Sequence, residues 1–364
     1  MRPDDLSNAS EQNIAAANIH AVIQAFANQQ DYCLANGAPI TARVVAAIAA
    51  MLPNPESEFA RKIANWPGHA LADALPLRAA AAYHALHIAG RAPDLAPLYA
   101  GEIEIDDGAL IKSVTQRFNA TLLPWLNGPP QTNEAGRSSS FAAAMLWLIE
   151  QGCPPCFDVM EIGSSAGINL MMDRYHYDLG GVEVGPSDAV MRFQPEWRGP
   201  PPPQHSLEFA SLAGCDVAPI NLCDDEQANR LKAYIWPDNP IRFVRLEAAI
   251  AAARAKPPKL VRMNAPDFVE QQLRRPQALG TTRLLMHSLV WQYIPSDQQQ
   301  HIIGAMEDAG RNATADRPLA WISLEANRTL LHHELIMRHW PSAPEPHMLA
   351  QAHSHGGWIS WQGS

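Results

Sequence analysis

"FDVMEIGSSAGINL", Phe157 to Leu170, admits two incompatible chemistries. Read as G-x-S-x-G, Gly163 to Gly167 is a nucleophile elbow presenting Ser165 as an acyl-accepting serine. Read as strand, acid and small-residue loop, Glu161 and Gly163 to Gly167 form a floor for a nucleoside cofactor. An elbow follows several strands and a glycine-rich oxyanion loop, yet the residues upstream of Phe157 read as helices and no HG or HGGG sequence precedes them. A serine hydrolase also needs an acid and then a histidine. Asp216 or Glu325 with His353 or His355 satisfy that by chain order alone. The cofactor-loop reading uses more of the letters. Glu161 falls at the carboxyl end of a strand, where open α/β sheets bind ligands. Gly163 permits a turn, and Ser164, Ser165 and Ala166 keep the loop thin. Gly167 lets a following helix approach with its free N–H groups facing the ligand. The glycines are fewer than in G-x-G-x-x-G, so an amino-acid-tailed nucleoside suits the loop better than a pyrophosphate.

Outward from this stretch the chain changes character twice. From Asn13 to about Leu126, alanine-rich segments with apolar residues at helical spacing predict helices, broken at Asp31-Tyr32, at Pro53-Asn54-Pro55 and at Gly90. After "NGPPQTNEAGR", Ser138 is a candidate N-cap for a helix to about Glu150. Short apolar runs follow: "FDVMEI", "AVMRF", "KLVRM", "RLLMH" and "LAWISL", each the length of a buried strand. "LKAYI", "RLEAAIAAARA" and "DFVEQQL" supply crossover helices, and the alternation predicts a doubly wound, mostly parallel α/β sheet. The tail predicts a hairpin turning at Gly356-Gly357. The expected organisation is a helical domain over 1–126 and an α/β domain over 127–364.

Composition narrows the function classes. Hydrophobic residues are 47% and charged residues 18% of the 364, as in a globular protein. The net charge of −10, from 27 basic and 37 acidic residues, with no basic run, argues against nucleic acid and membrane surfaces; a small-molecule substrate is the expected partner. No apolar run is long enough for a bilayer, and the polar start lacks a signal-peptide core. Five cysteines in so long a chain suit free thiols in a reducing compartment, so a cytoplasmic location is expected. Oligomeric state is left open.

The acid-plus-loop pattern at Glu161 resembles the first motif of class I S-adenosylmethionine (SAM)-dependent methyltransferases. The resemblance implies a Rossmann-like sheet and SAM as cofactor. "KLVRMNAPDF" is similar to that family's third strand, which implies Asn264 and Asp267 at the adenine. "RLLMHSLVWQYI" is similar to its fourth, which implies His287 and Ser288 beside the transferred methyl. "LAWISLEAN" resembles the fifth strand and the final hairpin the sixth and seventh. The ribose-holding acid ends the second strand: Glu196 in "VMRFQPEW" is the choice and Asp216 the alternative. From Gln131 onward the chain also resembles the bacterial unknown-function family 2332, on "QTNEAGR", "EIGSSAGINLMMDRYHY", "YIWPDNPIRFVRLEAAI", "LLMHSLVWQYI" and "HSHGGWISW". That family tends to show Gly-Asp where this chain has Asn264-Ala265, which favours a non-catalytic methyltransferase-like scaffold as the alternative to an enzyme. The spacing from Gly167 to the fourth strand implies an insertion that includes the proline run.

Methyl transfer from a sulfonium is an in-line displacement, and a base is needed only where the acceptor loses a proton. His287 is the candidate base, and a hydrogen-bonded structural histidine its bland alternative. Arg137 is a candidate partner for the methionine carboxylate, or for Glu134 in a loop-stapling ion pair. Asp173, Arg174 and Tyr175 serve ligand or helix anchoring equally well. Cys153-Pro-Pro-Cys156 precedes a strand, where no helix dipole lowers a thiol pKa, so structural thiols are expected. His353 and His355 share a strand face, but no run of acids completes a metal site. Trp236, Trp291, Trp340, Trp358 and Trp361 read as packing residues.

Overall fold

Alanine shapes the first part of the molecule. Its side chain loses no rotamer freedom in a helix and lets helices approach closely. In a computed structural model, which describes residues 3–128, 130–327 and 332–363, these stretches are helical. They form α1 (Pro3–Ala35), α2 (Pro39–Ala50), α3 (Glu58–Ala64), α4 (Leu75–Ile88), α5 (Ala96–Tyr99) and α6 (Asp107–Leu122). The expected break at Asp31-Tyr32 does not occur: α1 runs on to Ala35 and stops where Gly37 takes φ +69°. Gly90, at φ +63°, follows α4. Ser57 and Asp106 cap α3 and α6 by accepting from Ala60 N and Ala109 N. Phe26, Ile48, Phe59, Tyr83 and Ile111 fill the core between these helices. The buried Tyr83 hydroxyl is satisfied by Thr115 Oγ1 at 2.6 Å.

The remaining elements follow as α7 (Ser138–Glu150), β1 (Cys156–Ile162), β2 (Tyr175–Leu179), β3 (Val182–Val184), β4 (Met191–Phe193), β5 (Glu196–Arg198) and β6 (Glu208–Asp216). Then come α8 (Asp225–Ala233), α9 (Pro240–Ala255), β7 (Lys259–Arg262), α10 (Ala265–Leu273), β8 (Thr281–Ser288) and α11 (Ser296–Gly310). The chain ends with β9 (Leu319–Asn327), β10 (His332–Trp340), β11 (Ala343–Ala352) and β12 (Trp358–Trp361). Two compact units result: 1–132 with 225–243, and 133–224 with 244–364. The sequence suggests a single boundary after 126, whereas here the segment carrying α8 joins the helical unit.

The second unit is α/β. Nine strands form one sheet in the order β5-β12-β11-β10-β9-β8-β1-β6-β7. Pairing is parallel from β7 through β9 and antiparallel from β9 through β12, with β5 parallel to β12. All eight residues of β8 are buried, the apolar Leu284-Leu285-Met286 at its centre as well as the polar residues on either side. β7 is instead the exposed edge, so "KLVRM" is not a buried strand. "AVMRF" also departs from expectation: β4 joins a separate three-stranded sheet, β3-β2-β4. Between β1 and β6 lie a 3₁₀ segment, that small sheet, β5 and the proline run, in place of a crossover helix. This is the expected insertion. On one face of the large sheet, Met160, Ile162, Leu285 and Trp321 pack with Phe268 and Val269 of α10 and Ile302 and Met306 of α11. Each fully buried side chain of this kind contributes about 1.5–3 kcal/mol. The terminal hairpin turns at Gly356, φ +69°, whose N–H donates to His353 O.

Candidate functional site

β1 is paired on both sides, with Glu161 opposite Gly214 of β6 and Met286 of β8. Side chains alternate along a strand, so Glu161 lies on the face opposite Met160 and Ile162. It is 2% exposed. Oε1 accepts from Asn169 Nδ2 at 3.0 Å, while Oε2 has no hydrogen-bond partner. Burial pushes its carboxyl up to about 7; the Asn169 hydrogen bond, the nearby Ser164 hydroxyl and the charge of Arg137 act the other way, and Asp216 adds to the rise; the Ser164 hydroxyl itself donates to the main-chain oxygen of Glu161. Asn169 Oδ1 and Ser165 Oγ, both buried, also lack partners.

Arg137 stands at the start of α7, 3% exposed, and donates through Nε to Ser354 O at 2.8 Å and through Nη1 to Ser288 Oγ at 3.5 Å. Ser138 is not an N-cap: it is the first residue of α7, and its hydroxyl donates back to Ala135 O at 2.5 Å. Glu134 instead lies 3.7 Å from Arg245 Nη1 and accepts from Gly136 N. Thus Glu161, Arg137 and Ser288 come together at the carboxyl ends of β1 and β8.

The loop itself departs from expectation. Gly163, Ser165 and Gly167 take φ +66°, +53° and +70°. Four of its amides are engaged: Ser164 N donates to Cys215 O, Ser165 N to Asp216 Oδ2, Gly167 N to Ser164 O and Ile168 N to Asn133 Oδ1, at 2.7–2.9 Å. Gly167 leads into a six-residue 3₁₀ segment, Asn169–Arg174, and not into an α-helix that aims N–H groups at a ligand. Close packing explains the small residues. A Cβ on Gly163 would lie 2.3 Å from Val290 Cγ2, and one on Gly214 would lie 2.1 Å from Ser164 Oγ. No histidine among the described residues hydrogen-bonds Ser165, so the hydrolase arrangement is not assembled.

At the neighbouring strand ends a second arrangement appears. His287 is 1% exposed, and its Nδ1 lies 2.7 Å from Glu325 Oε1 on β9. The same oxygen accepts from Val290 N and Trp291 N. A carboxylate on Nδ1–H leaves Nε2 as the acceptor, and Nε2 is buried without a partner. The imidazole stacks on Trp291 at 5.1 Å, and Trp321 closes the group at 6.0 Å. These residues border a cavity of about 320 Å³. Glu325 is noted in the sequence only as a hydrolase acid. The alternation of Trp321, Ser323 and Glu325 is the signal that puts all three on one face.

Other candidates disperse. Glu196 does not end the second strand: β5 sits at the opposite edge of the sheet, where Glu196 pairs with Arg198 at 2.9 Å. The strand beside β1 is β6, and it ends in Asp216, whose oxygens hold Ser165 N and Ala218 N. Asn264 caps α10, accepting from Asp267 N and donating to Asp267 Oδ2, so the two are joined to each other. Arg174 donates to Ala252 O and Lys256 O, and Tyr175 to Ile168 O, which anchors the segment after the loop. Cys153 and Cys156 are free thiols. Among the described residues no group of three or more His, Cys, Asp or Glu is arranged to hold a metal, and no helix is long and apolar enough to cross a membrane.

Comparison with known proteins gives one match, over residues 23–361, to a family described as "Uncharacterized protein conserved in bacteria (DUF2332)". No curated protein matches, and no solved structure does.

Proposed function

We propose that this chain, which belongs to the bacterial family DUF2332, is a SAM-dependent methyltransferase acting on a small molecule. The observation that carries the proposal is the buried Glu161 carboxylate with an unpartnered oxygen, at the point where the strand order reverses. From β1 the sheet grows one way through β6 and β7 and the other way through β8 and β9. Open α/β sheets bind ligands at that switch point, beyond the carboxyl ends of the strands. Glu161 Oε2 and Asn169 Oδ1 are two unmet acceptors, a fit for the ammonium of an amino-acid tail. Arg137 is the residue that would receive the tail's carboxylate, with Ser288 beside it. Bound there, SAM would supply an electrophilic methyl on a sulfonium. The chain's own part is to hold the zwitterion, and His287, oriented by Glu325, would take the acceptor's proton. Asp216, not Glu196, is the acid beside the loop in this reading.

Calorimetry of the full chain with SAM and with S-adenosylhomocysteine tests the proposal. Saturable binding is expected, weakened at least about tenfold, or 1.4 kcal/mol, in Glu161→Gln. Folded protein that binds neither compound would refute it. The engaged loop amides favour a second reading, a binding scaffold of the same fold without turnover. Turnover in a broad methyl-acceptor screen, lost in Glu161→Gln with folding intact, would exclude the scaffold.

A further inference from the structure

The cavity beside His287 has two unlike ends. β9 places Trp321, Ser323 and Glu325 along its wall, and the four residues from Trp321 to Glu325 span about 13 Å of strand. Its volume of about 320 Å³ is at the lower end of small-molecule sites. At the Trp321 end the charge is already neutralised. The Arg338 guanidinium lies over the Trp321 and Trp340 rings, and it donates to Glu307 at 3.0 Å and to Pro344 O at 2.6 Å.

At the Glu325 end the charge is not neutralised. Glu325 Oε1 accepts from His287 Nδ1, Val290 N and Trp291 N. Oε2 makes no hydrogen bond and is reached by solvent, on a side chain that is 21% exposed. Among the described residues no Lys or Arg forms an ion pair with Glu325. Trp291 stands at this same end, with its N–H on Glu325 and its ring stacked on His287 at 5.1 Å. Ile303, Ile336 and Pro346 make the remaining wall apolar.

A carboxylate oxygen on the wall of an apolar cavity is costly to dehydrate unless a cation meets it. An indole beside it adds its own attraction for that cation. An anion would face like charge, and a neutral molecule would displace water from the carboxylate without replacing it. The complement is therefore a cationic head at Glu325 and an apolar body along the cavity.

We infer that this cavity binds an organic ammonium ion, a protonated amine carried on an apolar body. Its nitrogen donates to Glu325 Oε2 beside the Trp291 ring, and its apolar part lies among Ile303, Ile336 and Pro346. The inference needs only this cavity and stands whether or not a sulfonium binds at Glu161.

The test titrates the full wild-type chain at neutral pH with 2-phenylethylammonium and with 2-phenylethanol, which has the same shape without the charge, by calorimetry and tryptophan quenching. The ammonium is expected to bind saturably to one site, at least about tenfold more tightly than the alcohol. Absence of binding, or equal binding of the two compounds, overturns the inference without bearing on SAM. Glu325→Gln keeps an oxygen for the three donors and removes the charge, and it is expected to weaken ammonium binding at least about tenfold. Should that variant not fold, Trp291→Leu takes its place, since it leaves the backbone donor to Glu325 intact; a loss of about threefold is expected there. Undiminished affinity in the folded variant overturns the assignment of the site.

Discussion

Glu161 and Glu325 are the same residue type at the carboxyl ends of strands in one sheet, and they live differently. Glu161 is closed in, holds one amide donor and keeps one oxygen empty. Desolvation dominates there, and its carboxyl rises to about 7. Glu325 is partly exposed and gathers an imidazole and two backbone N–H groups on one oxygen. In the proposed reading the first changes charge state when a cation arrives. The second is built to fix its neighbours. The lesson is that the number of donors aimed at a carboxylate, and not its place on a strand, sets its role.

The largest expected effect comes from the packing that shapes the Glu161 end. Gly214→Ala would put a Cβ 2.8 Å from Leu170 Cδ1 and 3.0 Å from Glu161 O, besides the Ser164 clash. A loss of about 3 kcal/mol in a denaturant titration is expected; a neutral result would mean that the β1 loop shifts to admit the methyl. Next, Glu325→Ala strands three donors and is expected to cost about 2–3 kcal/mol, with Glu325→Gln recovering most of it. Equal loss in both variants would make charge, and not donor capture, the function of Glu325.

Glu161 gives the pH-dependent contrast. Its carboxyl has an ordinary value of 4.5 and rises to about 7 in the folded protein. Between those values the native state binds the proton more tightly than the unfolded chain. Stability from this group is therefore full below 4.5 and is lost as pH rises through about 7. Glu161→Gln is expected to remove about 3 kcal/mol of that decline, read from unfolding free energies across the window. An unchanged slope would show that Glu161 is solvated. Smallest is Glu196→Ala, expected to stay within about 0.5 kcal/mol and to leave SAM binding unaltered by calorimetry. A tenfold loss of affinity there would return the ribose role to the wrong edge of the sheet.

How far the sequence could be read follows from the range of each interaction. The β1 segment, the crossover helices α9 and α10 and the terminal hairpin were legible because period, turn residues and caps act over a few positions. Asp31-Tyr32 looked like a stop, yet α1 passes through it, because turn-favouring residues on an exposed helix surface cost little against several turns of hydrogen bonds. "AVMRF" had the apolar pattern of a central strand, but three residues of it pair in a side sheet. Local pattern states that a strand forms, and says nothing of its partner.

By itself the chain determined an alanine-rich helical stretch, a sheet of buried apolar runs and an acid ahead of a small-residue loop. Those are properties of neighbouring residues. Only the tertiary structure decided that Asp216 and not Glu196 stands beside that loop, that four of the loop amides are already used, and that Glu325 reaches His287 across 38 positions. Strand order and register bring together residues far apart in sequence, and the free energy of those pairings is spread over the whole sheet instead of being written in any one stretch.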